Sequence, residues 1–356
     1  MCHLFFQRAP FLAFALAFLI AVPVQAQSLW TDVSPSAAAR ASFTLPSQYR
    51  ALELDRTALD ARTQALKQGG EVPFEVPLPD GRTLTLDAHE ASVMAPALQA
   101  RYPEIQTYTV QGKEGSGRVS VTPAGVKVLL FTEDGAVAID PVERGGAVHV
   151  SYYVRDLEVP TDLFEGEEAL HLPDASRDDL DRLMIDPPPQ VGETLRTYRF
   201  AVATTGEYTA ANGGTVAGGL AGVVGAVNRL NAIYERDLAL TFELVADNDQ
   251  VIFTDAATDP YSHGLDTDNP YTPYPDLDPP ALFENQAALD RLIGSANYDI
   301  GHVLGYNEGG GVAYIGVSCD ASFKGQGVSG VEDETSQFDL VVFPHEIGHQ
   351  LDGEHT

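Results

Sequence analysis

The C-terminal stretch of the chain decides the fold of its second half. It reads His345-Glu346-Ile347-Gly348-His349-Gln350-Leu351-Asp352-Gly353-Glu354-His355. In an α-helix, residues four apart share one face, so His345 and His349 present two imidazoles to the same point. Neutral imidazole is a good zinc ligand, and a catalytic zinc takes three protein ligands plus a water. We therefore predict that His345, His349 and His355 bind one catalytic Zn²⁺ and that Glu346 acts as general base on a zinc-activated water.

The third ligand sets a condition on the backbone. His355 reaches the ion only if the chain leaves the helix and turns back, and Gly353 is the residue expected to make that turn. The helix is predicted over residues 336–351, with Ser336 or Asp339 as N-cap. The alternative is three unrelated histidines, although three of the nine histidines fall within these eleven residues.

Upstream of this helix, strand patterns alternate with helical ones, which indicates an α/β domain over residues 195–356. Apolar residues recur at helical spacing over 215–236, but Asn228, Arg229 and Asn231 interrupt them, which argues against a membrane span. Residues 309–317 predict a glycine-rich strand. It is either an edge on which a substrate peptide lies extended or an ordinary buried strand.

The first half of the chain has a different pattern. Residues 27–157 contain short alternating runs bounded by Pro, Asp and Gly turns, which predict a mostly β domain, with a helix-capable stretch at 51–67. Residues 158–194 are rich in Asp and Glu and contain three consecutive prolines, so they indicate a linker. An exposed linker of this kind is a natural place for proteolytic nicking.

The N-terminus is typical of a secretory signal. Arg8 supplies positive charge, an apolar run covers 10–24, and Ala26 ends a small-x-small cleavage site. We expect residues 1–26 to be removed and the protein to be secreted, extracellular or periplasmic, with no stable membrane anchor. The alternative is an uncleaved anchor, although the run is shorter than the roughly 20 residues of a membrane helix.

The chain is strongly acidic. It has 51 Asp and Glu against 21 Lys and Arg, a net charge of −30. Binding of phosphate groups needs clustered basic side chains, so the charge argues against nucleic acid as a partner. Solubility in salty surroundings is favoured over attraction of basic substrates. The carboxylates between 266 and 278 lack the spacing of a calcium loop and indicate a solvated loop.

The histidine stretch resembles the extended zinc motif of the metzincin peptidases, HExxHxxGxxH. Residues 204–209, 228–237 and 297–302 are similar to the bacterial reprolysin (adamalysin-like) branch of that family, and residues 77–81 and 102–105 to the propeptide of that branch. The resemblance implies an α/β metzincin-like (zincin) catalytic domain preceded by a mostly β prodomain. It also implies a secreted zinc-dependent endopeptidase precursor, a zymogen that acts on protein or peptide substrates.

The sequence departs from the metzincin pattern after the second histidine. The glycine of the motif falls at Asp352, a residue type that tolerates the left-handed backbone better than most. Metzincins continue to a methionine-containing turn beneath the zinc, and the methionines here are Met1, Met94 and Met184. We therefore expect the catalytic domain to be incomplete at its C-terminus.

The two cysteines bear on pairing and on latency. If Cys2 leaves with the signal peptide, Cys319 stays as a single cysteine, either free or missing its partner. The resemblance implies a disulfide partner beyond Thr356. Some metzincin prodomains inhibit through a cysteine on the zinc, and this prodomain would contain none, so any latency is expected to be steric.

Two further questions stay open. The family also binds structural Ca²⁺, for which Glu207 and Asp299 are the candidates by position, against the simpler interpretation of solvated carboxylates. The alternative function is a catalytically inactive, truncated zincin fragment that binds zinc or peptide without turnover. A zincin that hydrolyses something other than protein is a third interpretation.

Overall fold

The computed structural model describes residues 28–38, 44–69, 72–157, 194–261, 280–306, 310–331 and 338–354. Five predictions lie outside these residues. They are the signal peptide at 1–26, all but the last residue of the linker at 158–194, the carboxylate loop at 266–278, the N-cap at Ser336, and the third ligand, His355.

The first part of the chain forms one antiparallel sheet of nine strands: β1 (Trp30–Asp32), β2 (Arg50–Leu54), β3 (Val72–Pro77), β4 (Thr83–Glu90), β5 (Gln106–Gly112), β6 (Gly115–Thr122), β7 (Gly125–Thr132), β8 (Gly135–Pro141) and β9 (Val148–Tyr153). Their spatial order is β1-β2-β9-β8-β7-β6-β5-β4-β3. Helices α1 (Arg56–Lys67) and α2 (Pro96–Arg101) accompany them.

Both faces of this sheet are apolar at its centre. On β7, Val128 and Leu130 belong to the core that α1 covers, whereas Leu129 between them belongs to a second core. Successive strand residues point to opposite faces, so this alternation means that the sheet buries apolar side chains on both sides. The second core contains residues from the other half of the chain.

That half forms a five-stranded sheet: β10 (Arg196–Thr204), β11 (Leu240–Leu244), β12 (Ile300–Tyr306), β13 (Gly310–Ala313) and β14 (Gly327–Val331). The order is β11-β10-β12-β14-β13, and all neighbours are parallel except the edge strand β13, which is antiparallel to β14. Its helices are α3 (Gly206–Ala211), α4 (Val216–Leu238), α5 (Pro280–Leu292) and α6 (Phe343–Gln350). Apolar residues of α4 and α6 pack on one face of the sheet and those of α5 on the other.

Helix α4 lies between the two sheets. Its length and its mean hydropathy of 1.3 would suit a membrane span. However, 83% of its most apolar stretch is buried inside the protein, as is usual for a helix in a protein core. Polar residues on it are buried too: Asn228 donates to Ser120 on β6 at 2.9 Å, and Asn231 exchanges two hydrogen bonds with the backbone of Phe242 on β11. The polar interruptions of this helix are therefore contacts to the sheets on either side.

Charged groups also join the two halves. The N-terminal part pairs with the C-terminal part through Arg101–Asp249 at 2.8 Å, Arg118–Glu235 at 2.6 Å, Lys127–Asp339 at 2.6 Å and Asp140–Arg229 at 2.8 Å. The last pair is fully buried. Burial alone would raise the pKa of Asp140, but the adjacent charge of Arg229 holds this pKa below its usual range. Removing one member of such a pair leaves an uncompensated charge in the core.

Two helix predictions need correction. Residues 51–54 of the predicted helix at 51–67 belong to strand β2. The helix begins only after Asp55, whose side chain caps the amide of Ala58 at 3.0 Å. The final α-helix does not begin at Asp339, and the other predicted N-cap, Ser336, lies outside the described residues. It begins at Phe343, after a π-helical turn, Phe338–Val342. Asp339 is no N-cap, because its carboxylate instead pairs with Lys127 and lies 3.5 Å from Arg229.

Candidate metal centre

Helix α6 is fixed in the core by its apolar side. Phe343 and Ile347 are fully buried, and the ring of Phe343 stacks on Phe200 of strand β10 at 6.1 Å. At its N-terminal end, the hydroxyl of Tyr234 on α4 donates a hydrogen bond to the carbonyl of Pro344 at 2.8 Å. Contacts with the sheet and with α4 thus fix the position of the helix. His345 lies on the opposite side of its first turn.

The two histidines of the helix converge as the i, i+4 spacing predicts. Their Nε2 atoms lie 3.0 Å apart. Nδ1 of His349 lies 2.7 Å from the carbonyl oxygen of Gly353, which can only accept, so Nδ1 carries the proton and Nε2 keeps its lone pair. A carbonyl behind a ligating histidine sets the tautomer and the ring orientation that a metal requires.

Glu346 lies between the two histidines in the sequence, and it is buried. Its side chain is 0% exposed. Burial, and after it the charge of Glu346, raise the pKa of Tyr234 above its usual range. On the edge strand β13, a β-carbon at Gly311 would lie 2.5 Å from Cγ and 2.7 Å from Oε1 of Glu346. The strand therefore approaches this carboxylate as closely as it does only because residue 311 is glycine.

The end of the helix corrects one sequence prediction. Asp352, not Gly353, adopts the left-handed conformation, with φ +78°, at the place where the metzincin motif has glycine. Gly353 has another role, because a β-carbon there would lie 2.8 Å from the carbonyl oxygen of Gly348. Gly316, with φ +70°, donates its amide to the carbonyl of His349 at 2.9 Å. Gly311 and Gly316 lie in the stretch predicted as a glycine-rich strand, but no contact of either glycine with the helix was predicted from sequence.

The residues described here fit a zinc ion on the geometry of their donors. Two imidazole nitrogens at tetrahedral positions, each about 2.0–2.1 Å from zinc, stand roughly 3.3 Å apart. The observed 3.0 Å between the Nε2 atoms of His345 and His349 is close to that value. Within the described residues, no group of three or more His, Cys, Asp or Glu side chains could hold a metal ion, so this centre consists of a pair of histidines.

The structure gives the calcium prediction no support. Asp299 accepts from the guanidinium of Arg199 at 2.6 Å and from its backbone amide at 2.9 Å. The hydrogen bonds from Arg199 hold the pKa of Asp299 below its usual range, so this carboxylate acts as the partner of an arginine. Cys319 is an exposed free thiol with φ +67°.

Comparison with known proteins adds a family. Residues 194–356 match the family model described as Metallo-peptidase family M12B Reprolysin-like. The crystal structure of metalloproteinase-II from Bacteroides fragilis is a structural neighbour at 11% identity and a TM-score of 0.40, covering 82% of this chain and 85% of that one. No curated protein matches the sequence. Residues 194–356 of the chain are therefore similar to the reprolysin-like metallopeptidases.

Proposed function

We propose that the protein is the precursor of a secreted, zinc-dependent endopeptidase, with His345, His349 and His355 as zinc ligands and Glu346 as general base. The observation that carries the proposal is the convergence of two imidazole nitrogens, 3.0 Å apart, beside a buried glutamate on one helix. Similarity to a metallopeptidase family supplies the class of reaction, hydrolysis of peptide bonds.

The histidines and Glu346 have different roles in the proposed reaction. Nε2 of His349 can bind a metal ion, because the carbonyl of Gly353 keeps the ring proton on Nδ1. Zinc bound by the histidines would supply Lewis acidity to the peptide carbonyl and to the attacking water. Glu346 takes the proton of that water on a carboxylate oxygen and delivers it to the leaving amine, and such proton transfer contributes about 10²–10⁴-fold to rate.

The edge strand is the proposed platform for the substrate. Strand β13 pairs with β14 and, within the described residues, with no other strand. An extended peptide can add to such an edge through main-chain hydrogen bonds. Because Gly311 of this strand contacts Glu346, a peptide lying along β13 would pass close to the base.

The remaining parts of the proposal rest on sequence. Residues 1–26 would direct secretion, residues 27–157 would form the propeptide, and cleavage in the acidic linker would separate the propeptide from the catalytic domain. The shared core and the buried Asp140–Arg229 pair support a propeptide that also stabilises the catalytic domain.

The test compares wild-type protein with Glu346→Gln and with Glu243→Gln, which removes an exposed carboxylate on the far edge strand β11. Zinc content and casein cleavage are measured for each. We expect Glu346→Gln to retain zinc and lose activity by about 10²–10⁴-fold, and Glu243→Gln to behave as wild type. Full activity in Glu346→Gln would remove the assigned base. Zinc binding without any wild-type activity would instead indicate a fragment without turnover.

A further inference from the structure

The last residue of helix α6 makes a polar contact deep in the core. Gln350 is 0% exposed, and its Nε2 donates to the carbonyl of Gly301 on the central strand β12 at 2.8 Å. Its Oε1 lies 2.9 Å from Nδ1 of His302 on the same strand. Nε2 of His302 lies in turn 2.8 Å from the hydroxyl of Ser329 on β14. These four residues form a chain of three hydrogen bonds from the helix into the sheet.

The direction of every bond in this chain follows from its chemistry. A carbonyl oxygen only accepts, so the amide nitrogen of Gln350 must face Gly301 and its oxygen must face His302. Nδ1 of His302 therefore carries a proton, and Nε2 accepts from Ser329. Burial lowers the pKa of His302 to about 4, which leaves the ring neutral at physiological pH. One tautomer and one amide orientation satisfy the whole chain.

Strand β14 passes very close to this chain of hydrogen bonds at Gly327. A β-carbon at Gly327 of β14 would lie 2.4 Å both from Oε1 of Gln350 and from Nδ1 of His302. No side chain fits there, so β14 reaches its place in the sheet only with glycine at this position. Phe343 and Ile347 supply apolar contacts between α6 and the sheet. A polar link in such a setting specifies one rotation of the helix, whereas apolar packing tolerates several.

Gln350 is well placed to set that rotation for the metal centre. It follows His349 directly and lies four residues after Glu346, so Gln350 and Glu346 share one face of the helix. A turn of 10° about the axis moves atoms at the helix surface by roughly 1 Å, given a side-chain radius of about 5–6 Å. If only the last turn of the helix moved in this way, Nε2 of His349 would be displaced from Nε2 of His345, which lies in the first turn. If the whole helix turned, the carboxylate of Glu346 would shift relative to strand β13.

We propose that Gln350, held by His302 and Ser329, is a positioning residue that fixes the rotation of the last turn of helix α6, so that His349 meets the same cation as His345 and Glu346 keeps its place beside strand β13. This role rests on the proposed function, because it presumes that the helix binds zinc. The hydrogen-bond chain itself is a property of the protein alone, and it can be tested with or without the metal.

The primary variant is Gln350→Met, which keeps the length of the side chain. It removes the hydrogen bonds to Gly301 and His302, and a longer one of 3.4 Å to the carbonyl of Lys324. Its matched control is Asn231→Leu, which also removes two buried amide bonds, to the backbone of Phe242. Zinc affinity is measured by chelator competition, and amide hydrogen exchange of residues 343–350 is measured in metal-free protein. We expect about tenfold weaker zinc binding and faster exchange across the helix for Gln350→Met only.

A gentler pair of variants guards against loss of folding. Ser329→Ala removes the last bond of the chain, and Thr209→Val removes a comparable buried hydroxyl bond, to Thr204 at 2.9 Å. We expect Ser329→Ala to change zinc affinity and helix exchange in the same direction as Gln350→Met, by a smaller factor, and Thr209→Val to leave both at wild-type values.

The outcomes separate the two proposals. If Gln350→Met and Ser329→Ala match their controls in both measurements, the chain of bonds is ordinary core structure and the positioning role is wrong. If wild-type protein binds no zinc, the proposed function fails, and exchange of the helix amides still decides whether Gln350 holds the helix.

Discussion

Replacing Gly311 by alanine tests how closely the edge strand must approach the base. A β-carbon at this position would lie 2.5 Å from Cγ and 2.7 Å from Cδ of Glu346, whereas carbon atoms settle at about 3.5–4.0 Å. Either the strand or the carboxylate must move by roughly 1 Å. A misplacement of that size can cost about 10²-fold in rate, or about 2.7 kcal/mol of barrier.

The assay measures kcat on a peptide substrate together with zinc content. We expect Gly311→Ala to lower kcat about 100-fold while zinc content stays at the wild-type value, because the alanine contacts the base and not the ligands. The control is Gly225→Ala on helix α4, where the nearest atom to a β-carbon is Cδ of Lys127 at 3.6 Å, an ordinary contact. Wild-type kcat in Gly311→Ala would refute the reasoning. Parallel loss of zinc would mean that the whole helix had moved.

Three further predictions concern stability, measured by urea denaturation. Burial lowers the pKa of both His149 and His302 from 6.5 to about 4. The unfolded chain therefore binds more protons between these values, and stability falls as pH drops from about 6.5 to 4, by up to ~3 kcal/mol for each histidine. His149→Gln should fall less steeply over this window, and an unchanged slope would contradict the assignment. Arg229→Met should lower the free energy of unfolding by about 3–5 kcal/mol, because it leaves the buried charge of Asp140 uncompensated. The double variant Arg229→Met/Asp140→Leu should lower it much less, and equal losses would contradict the role of the buried pair. Asp352→Gly should raise stability by about 0.5–1 kcal/mol, because glycine adopts positive φ without strain, and a destabilised variant would show that the aspartate side chain matters more.

The histidine helix and the α/β pattern were predictable because each is a local signal. The spacing of His345 and His349 requires only helical geometry, and the apolar period of residues 215–236 led to a helix observed at Val216–Leu238. Strand β14 carried no such signal. Its sequence is glycine-rich and short, yet it lies inside the sheet between β12 and β13, where neighbouring strands supply the pairing. Pairing of this kind depends on contacts distant in sequence, which local propensity does not record.

The polar residues of helix α4 are a second feature that local sequence does not predict. Asn228, Arg229 and Asn231 interrupt an apolar pattern, and side chains of these types are mostly exposed in proteins. In the fold all three are buried, because each has a partner on an adjacent sheet. Nothing local to the helix reveals that two sheets pack against it. For the same reason, Asp339 was wrongly predicted as a helix cap, because its partner Lys127 lies 212 residues away in the sequence.

The central claim is that one zinc ion binds between the histidines of helix α6. Anomalous diffraction at the zinc absorption edge, from crystals of the zinc-loaded full chain, tests it most directly. The account predicts one peak about 2.0–2.1 Å from Nε2 of both His345 and His349, with the carboxylate of Glu346 beside it and outside the ligand set. A peak at any other site, or zinc held by Glu346 in place of a histidine, would contradict it.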